Sequence, residues 1–269
     1  MAATPIWRIV GASVEGTSHR ARATGCQDAF ASRALPDGTL ILAVADGAGS
    51  APRSAEGAVR AAEHVVTSLR RMALKRRPVT DDDWARVMRR AFLNARLSVL
   101  AVARGARRPP RDFATTLTCA VLTDEWLVVG QVGDGLVVVR DGAGQLHAPV
   151  RPSRGEYANE TAFLTMPGMT HALQVAVTPL RGAAIAVMTD GLLRLAAKVP
   201  GYEPFPPFFA PLFAFVDSAA DAARAAGALA QFLDSERVNG RTDDDKTLVL
   251  AARLPEAQAA AVEMVAESV

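Results

Sequence analysis

Short apolar runs bounded by turn residues alternate along this chain with a few stretches in which apolar residues recur at helical spacing. Ile6 to Ser13 and Asp28 to Leu35 read as strands, and Leu35-Pro-Asp-Gly-Thr39 is turn chemistry leading into the apolar run Leu40 to Ala45. The opening is therefore expected to be a β-meander. After Asp46-Gly-Ala-Gly-Ser50 the spacing changes: Ala58, Ala62, Val65, Val66, Leu69 and Met72 share a helical face, with Ser50 placed as N-cap and Pro52 in the first turn. A second helix starts at Thr80-Asp-Asp-Asp83, acids at the positive end of its dipole, and carries Trp84, Val87, Met88, Ala91, Ala95, Val99 and Val102 on one side.

Beyond an Arg- and Pro-rich loop (104 to 111), Phe113 to Leu122, Trp126 to Val132 and Leu136 to Arg140 read as strands separated by Thr-Asp-Glu and Gly-Asp-Gly turns, which implies antiparallel pairing of neighbours. Strands are expected again at His171 to Val177 and Ala183 to Thr189, a helix over about Ala219 to Leu233, and a closing strand at Lys246 to Ala251. With no internal repeat and no long linker, the pattern predicts one α+β domain over 1–253, antiparallel sheets with helix pairs packed outside, followed by an Ala-rich tail over 254–269.

Composition narrows the class. Half of the 269 residues are hydrophobic and 22% are charged, the balance of a globular chain rather than a disordered or fibrous one. Thirty Lys and Arg against 28 Asp and Glu leave a net charge of +2, which does not suit a chain that coats nucleic acid or an acidic membrane. The greasiest stretch, Phe205 to Val216, is too short to span a bilayer, is broken by three prolines, and reads as packed core or a lid over it. Two cysteines, Cys26 and Cys119, and no leader-like N-terminus point to a reducing, cytoplasmic setting; neither thiol sits in a nucleophile motif. No Gly-Lys-Ser/Thr occurs, which argues against a nucleotide phosphate loop.

The candidate chemistry lies in aspartates placed where apolar strands stop: Asp28, Asp46, Asp134, Asp190 and the run Asp243-Asp-Asp245. Three of them precede glycine. A single Asp-Gly is ordinary turn chemistry, and Asp37-Gly38 and Asp141-Gly142 are read so. Several such carboxylates brought to one end of a sandwich repel one another unless cations lie between them, and oxygen ligands without His or Cys favour Mg²⁺ or Mn²⁺ over Zn²⁺.

In order along the chain stand Gln27-Asp-Ala29, Val44-Ala-Asp-Gly-Ala-Gly-Ser50, Ala114-Thr-Thr-Leu117, Gly133-Asp-Gly135, Met188-Thr-Asp-Gly-Leu192 and Thr242-Asp-Asp-Asp-Lys-Thr-Leu248. This series resembles the type 2C, metal-dependent serine/threonine protein phosphatases, most of all compact bacterial members, which also carry a segment like Gly155 to Thr161. The resemblance implies a four-layer αββα sandwich, two central antiparallel β-sheets flanked by helices, with two Mg²⁺ or Mn²⁺ ions at one end and a possible site for a third. Asp46 would match the bridging ligand and Gly47 a carbonyl ligand. Asp190 and Asp244 would complete the first ion's ligands, Asp28 would orient metal-bound water, and Asp134 would match the position that holds the third ion. Attack of metal-bridging water on a phosphoserine or phosphothreonine of a protein follows from that likeness, without a covalent phosphoenzyme. The partners implied are a phosphoprotein substrate and a cognate serine/threonine kinase, with no nucleic acid and no membrane, and the chain is expected to be a monomer. The other reading is a catalytically weak relative kept as a binding or regulatory module.

The family's phosphate-gripping Arg would fall at Ala23, leaving Arg22 and Arg20 as substitutes, one of which strand alternation would turn away. The family's usual His after Asp-Gly is Ala48 here, and His19 reads as a surface residue. Thirteen Arg and Lys crowd the stretch from Arg70 to Arg111; a solvated helix face explains them, and a docking surface for an acidic or phosphorylated partner is the sharper alternative.

Overall fold

A computed structural model describes residues 7–75, 77–152 and 161–254. In chain order the elements are β1 (Trp7–Val14), α1 (Thr17–Arg22), β2 (Ala29–Ala34), β3 (Leu40–Ala45), α2 (Ser54–Lys75), α3 (Asp81–Gly105), β4 (Leu117–Leu122), β5 (Trp126–Val132), β6 (Leu136–Asp141) and β7 (Leu146–His147). They continue with α4 (Met169–Ala172), β8 (Gln174–Pro179), β9 (Gly182–Met188), α5 (Leu193–Ala196), β10 (Ala197–Lys198), β11 (Glu203–Pro204), α6 (Pro206–Ser218), α7 (Ala222–Leu233), α8 (Glu236–Asn239) and β12 (Lys246–Arg253). Two five-stranded antiparallel sheets, ordered β1-β12-β9-β6-β7 and β2-β3-β4-β5-β8, form the centre; β10 and β11 pair apart from them.

Three apolar layers account for the arrangement. Side chains such as Leu42, Val44, Leu127, Val137 and Val249 fill the space between the sheets. Ala58, Ala62, Val65 and Leu69 of α2, with Trp84, Met88 and Phe92 of α3, cover the outside of the second sheet. Phe209, Phe213 and Val216 of α6, with Leu229 and Leu233 of α7, cover the first. This is the expected αββα sandwich. The Phe-rich stretch is core: it is helical in spite of Pro211, and Phe209, Leu212 and Phe213 are buried.

Local structure departs from the expected pattern at identifiable points. The meander does not form, because β1 pairs along its whole length with β12 and the chain then passes through α1 to the other sheet. Gly133-Asp-Gly135 is likewise not a hairpin: β5 and β6 lie in different sheets, and the crossing turns on Gly133, whose φ of +106° a side chain rarely adopts and whose missing Cβ leaves room for Thr116. Thr80 caps α3 by accepting from the Asp83 N–H at 3.1 Å, as its sequence signals. The first long helix starts at Ser54, four residues beyond the expected cap at Ser50. Strands expected from Phe113 and His171 begin at Leu117 and Gln174, the residues before them forming single helical turns. Asp37 and Asp141 are turn residues, accepting from N–H groups two residues ahead. The Ala-rich tail and most of Gly155 to Thr161 lie outside the described residues.

Candidate metal centre

Both sheets contribute strand ends to one end of the sandwich, and the aspartates ride on them. Asp46 follows β3, Asp134 sits at the crossing from β5 to β6, and Asp190 follows β9. One carboxylate oxygen from each of these three lies within 4.8 Å of the others. Asp46 is fixed through its backbone: its N–H donates to Thr116 Oγ1 at 3.0 Å, while its carbonyl accepts from the Thr115 hydroxyl at 3.0 Å and the Thr116 N–H at 2.8 Å. The Ala-Thr-Thr-Leu motif is thus the clamp that holds this aspartate. Next to it, the Gly47 N–H donates to the Gln27 carbonyl at 3.2 Å, tying the β3 end to the residue before Asp28.

Asp28 is buried, with Oδ2 accepting from Thr189 Oγ1 at 2.7 Å, and the same hydroxyl accepts from the Thr247 N–H at 3.1 Å. Burial pushes the Asp28 carboxyl up to about 7, against the hydrogen bonds from Thr189 and Thr247, with the charges of Asp245 and Asp244 adding to the rise. Asp46 is raised well above the usual carboxylate range, first by burial and then by the charges of Asp28, Asp190, Asp244 and Asp134. Five carboxylates therefore share one field. Such a set is costly as anions alone and fits hard divalent cations.

Asp244 differs from the other expected ligands. Its side chain is 47% exposed at the rim, with Oδ1 accepting from the Asp245 N–H, and it acts on Asp46 through its charge rather than within the three-carboxylate group. Asp134, expected to match the position that holds a third ion, stands in that group beside Asp46 and Asp190.

Asp245 was expected only as a member of the run Asp243-Asp-Asp245, without a role of its own, and is the best-held carboxylate at this end. It is 2% exposed and accepts from the Gly16 and Gln27 N–H groups, both at 2.6 Å. His19 Nδ1 lies 2.8 Å from Asp245 Oδ2, so His19 is buried against this loop and is not the surface residue expected. Gly191, after Asp190, leaves room for the Asp245 carbonyl, which would stand 2.0 Å from a Cβ there.

The two arginines lie on α1, a helix rather than a strand, so helical geometry separates them. Arg22 lines a cleft of about 390 Å³ together with Asp46, Gly47, His19, Ser50 and Asp244. Arg20 does not: its Nη2 donates to Asp234 at 2.6 Å and to the Glu15 carbonyl at 3.1 Å, so its expected grip on phosphate is replaced by a link to α7. Cys26 and Cys119 are free thiols, and burial pushes both up, Cys26 to about 12, which leaves them inert as nucleophiles.

An αββα sandwich with clustered aspartates at one end is the arrangement of a metal-dependent phosphatase, and the comparisons with known proteins agree. The model of the protein phosphatase 2C family matches residues 15–234, and the chain belongs to that family. It is 37% identical over 251 residues to serine/threonine-protein phosphatase 3 of Escherichia coli (strain K12), covering 91% of this chain and 98% of that one. Among solved structures it superposes on the serine/threonine phosphatase Stp1 from Staphylococcus aureus with a TM-score of 0.62 at 15% identity, covering 94% of this chain and 97% of that one. It also superposes on the catalytic domain of the serine threonine protein phosphatase PstP in complex with two manganese ions, with a TM-score of 0.56 at 17% identity, covering 94% and 100%. The chain is a metal-dependent protein phosphatase. Among the described residues, no helix is long and apolar enough to cross a membrane.

Proposed function

We propose that the chain hydrolyses phosphoserine and phosphothreonine esters on proteins, with two Mg²⁺ or Mn²⁺ ions at the Asp46 end of the sandwich and room for a third. The observation that carries this reading is the group formed by Asp46, Asp134 and Asp190, with one oxygen of each within 4.8 Å and the Asp46 carboxyl raised above its usual range first by desolvation and then by four neighbouring carboxylates. Asp46 and Asp190 would hold the ions, with Asp134, Asp244, Asp28 and the Gly47 carbonyl as further ligands. Bound there, divalent ions polarise a phosphoryl oxygen and acidify water, which is the chemistry that ester hydrolysis near neutral pH needs.

The protein's own groups do the rest. Asp28, oriented by the Thr189 hydroxyl, aligns the attacking water. Arg22 grips non-bridging oxygens of the phosphoryl group by charge-assisted hydrogen bonds. The P–O bond to the Ser or Thr oxygen breaks as the water oxygen bonds to phosphorus, giving the free hydroxyl side chain and inorganic phosphate. Next to the cleft, sharing Ala48, Ser50, Thr161 and Phe163 with it, a second and more apolar depression of about 1000 Å³ offers space for residues flanking the phosphorylated one.

We also infer a monomer made of one catalytic domain over 1–253, working in the cytoplasm, a setting its two unpaired cysteines suit, and opposed there by a serine/threonine kinase. The test is release of phosphate from phosphothreonine and phosphoserine peptides with Mn²⁺. Turnover that stops with chelator and returns on adding metal is expected. A chain that binds Mn²⁺ and phosphopeptide without turnover would favour the regulatory module instead.

A further inference from the structure

Helices α2 and α3 cover one sheet with their apolar faces and leave a groove of about 550 Å³ between their outer faces. Its floor is the Asn94 Nδ2 to Ser68 Oγ hydrogen bond, 2.9 Å, which joins the two helices. Arg71 and Lys75 of α2 stand on one side, Arg86 and Arg90 of α3 on the other, all exposed, with Met72 and Val87 as apolar lining. Among the described residues one carboxylate, Asp83, lines the groove, and it is already 3.2 Å from Arg86. Among the described residues, Arg71, Lys75 and Arg90 have no ion-pair partner. Four cations facing one another across a groove, three of them unneutralised, complement a ligand that is elongated and negative.

Position selects among such ligands. α2 follows within a few residues of the Asp46 loop, and His64, on the groove wall, lies ten residues into it. At 1.5 Å per residue the groove then begins about 15 Å from the start of α2 and runs to about 30 Å. An extended peptide covers about 3.3 Å per residue, so a substrate whose phosphorylated residue sits in the cleft would reach the groove with residues about five to nine positions away. The narrow, partly apolar walls suit a peptide's backbone and side chains better than a flat bilayer.

We propose that this groove docks an acidic, extended segment of the phosphoprotein substrate, so that recognition is split between the phosphoryl cleft and the outer face of α2 and α3. The proposal rests on the protein phosphatase reading and deepens it by naming a second determinant of substrate choice. It also explains, for four of them, why arginines and lysines gather between residues 70 and 111.

Kinetics on the Mn²⁺-loaded full chain would test it with two phosphothreonine peptides, one short and one extended by a run of Asp and Glu five to nine residues away. At low salt the extension is expected to lower KM about tenfold with kcat unchanged, and the gain should vanish at about 0.5 M NaCl. The double variant Arg71→Glu/Arg90→Glu should lose the gain while turning over the short peptide within about twofold of the parent. Arg71→Lys/Arg90→Lys should keep most of it and shows that the surface tolerates substitution. Equal KM for both peptides, or a gain that survives the double reversal, would overturn the proposal. So would an RNA oligonucleotide or anionic vesicles that bind through Arg71 and Arg90 more tightly than the acidic peptide. If neither peptide is turned over, the phosphatase reading fails, and fluorescence anisotropy of the unphosphorylated acidic peptide on parent and double variant still decides the docking.

Discussion

Two kinds of aspartate share one end of this sandwich, Asp46 half-buried and Asp245 buried, and they are held in opposite ways. Asp46 lies among four other carboxylates and is raised far from its ordinary acidity. Asp245, no more exposed, accepts two 2.6 Å backbone hydrogen bonds and faces the His19 ring. The first belongs to a carboxylate cluster whose chemistry suits divalent cations; the second is a structural tie that joins the loop before β12 to the segments around Gly16 and Gln27. The contrast teaches that burial of a carboxylate says little until its partners are counted: hydrogen-bond donors make it structural, other carboxylates make it a ligand.

The sharpest way to break this contrast is to neutralise each member. Asp46→Asn should lower phosphopeptide turnover about a thousandfold or more, because a charged ligand is lost where transition-state charge is stabilised. The same change should raise the melting temperature in chelator, since it removes a carboxylate repelled by four others. Activity assays and thermal melts on one preparation check both signs. A variant that loses activity and also melts lower without metal would mean that Asp46 is structural too.

Asp245→Ala should act in the other sense. It strips acceptors from two buried N–H groups and leaves His19 facing a void, a loss of about 3 kcal/mol by urea unfolding, with metal or without. If added Mn²⁺ restored the loss in full, Asp245 would belong with the ligands after all.

Proton binding separates the two kinds again. The folded Asp28 carboxyl is raised to about 7 from 3.8, so folding favours its protonated form. Below about pH 4 the carboxyl is protonated folded or unfolded and there is no penalty. As pH rises towards 7 the unfolded chain ionises first and the folded state loses stability, on the order of a few kcal/mol, levelling above that. Melting temperature in chelator should therefore fall between about pH 4.5 and 7.5, and Mn²⁺ should flatten or reverse the slope, because the ion takes the place of the proton. A chelated protein that becomes more stable over that window would contradict the raised value.

Much of this was legible in the chain. Asp46, Asp134 and Asp190 announced themselves because each follows an apolar run, and Thr80 announced the start of α3 by its cap. What was hidden depends on contacts between segments far apart in sequence. Nothing local distinguishes the Gly133-Asp-Gly135 crossing from a hairpin turn, since both need a positive φ; only the pairing of β6 with β9 decides it. The roles of Asp244 and Asp245 likewise depend on Gly16 and Gln27, more than 200 residues away, so the run of three aspartates could not reveal which one was tied down.

The smallest expected effect concerns the two arginines of α1, two residues apart and on different sides of one helical turn. Arg22 lines the cleft beside Asp46, whereas Arg20 is committed to Asp234, where hydrogen bonding holds the partner carboxyl below its usual value. Arg22→Ala should therefore raise KM for a phosphopeptide about fivefold to tenfold with a smaller change in kcat, the loss of one charge-assisted contact in solvent-exposed surroundings. Arg20→Ala should stay within about twofold on both, because an exposed ion pair contributes little to stability and its guanidinium faces away from the phosphoryl group. The reverse ranking, with Arg20 the costlier loss in KM, would mean that the Asp234 contact opens when substrate arrives and that α1 presents its other side to the phosphate.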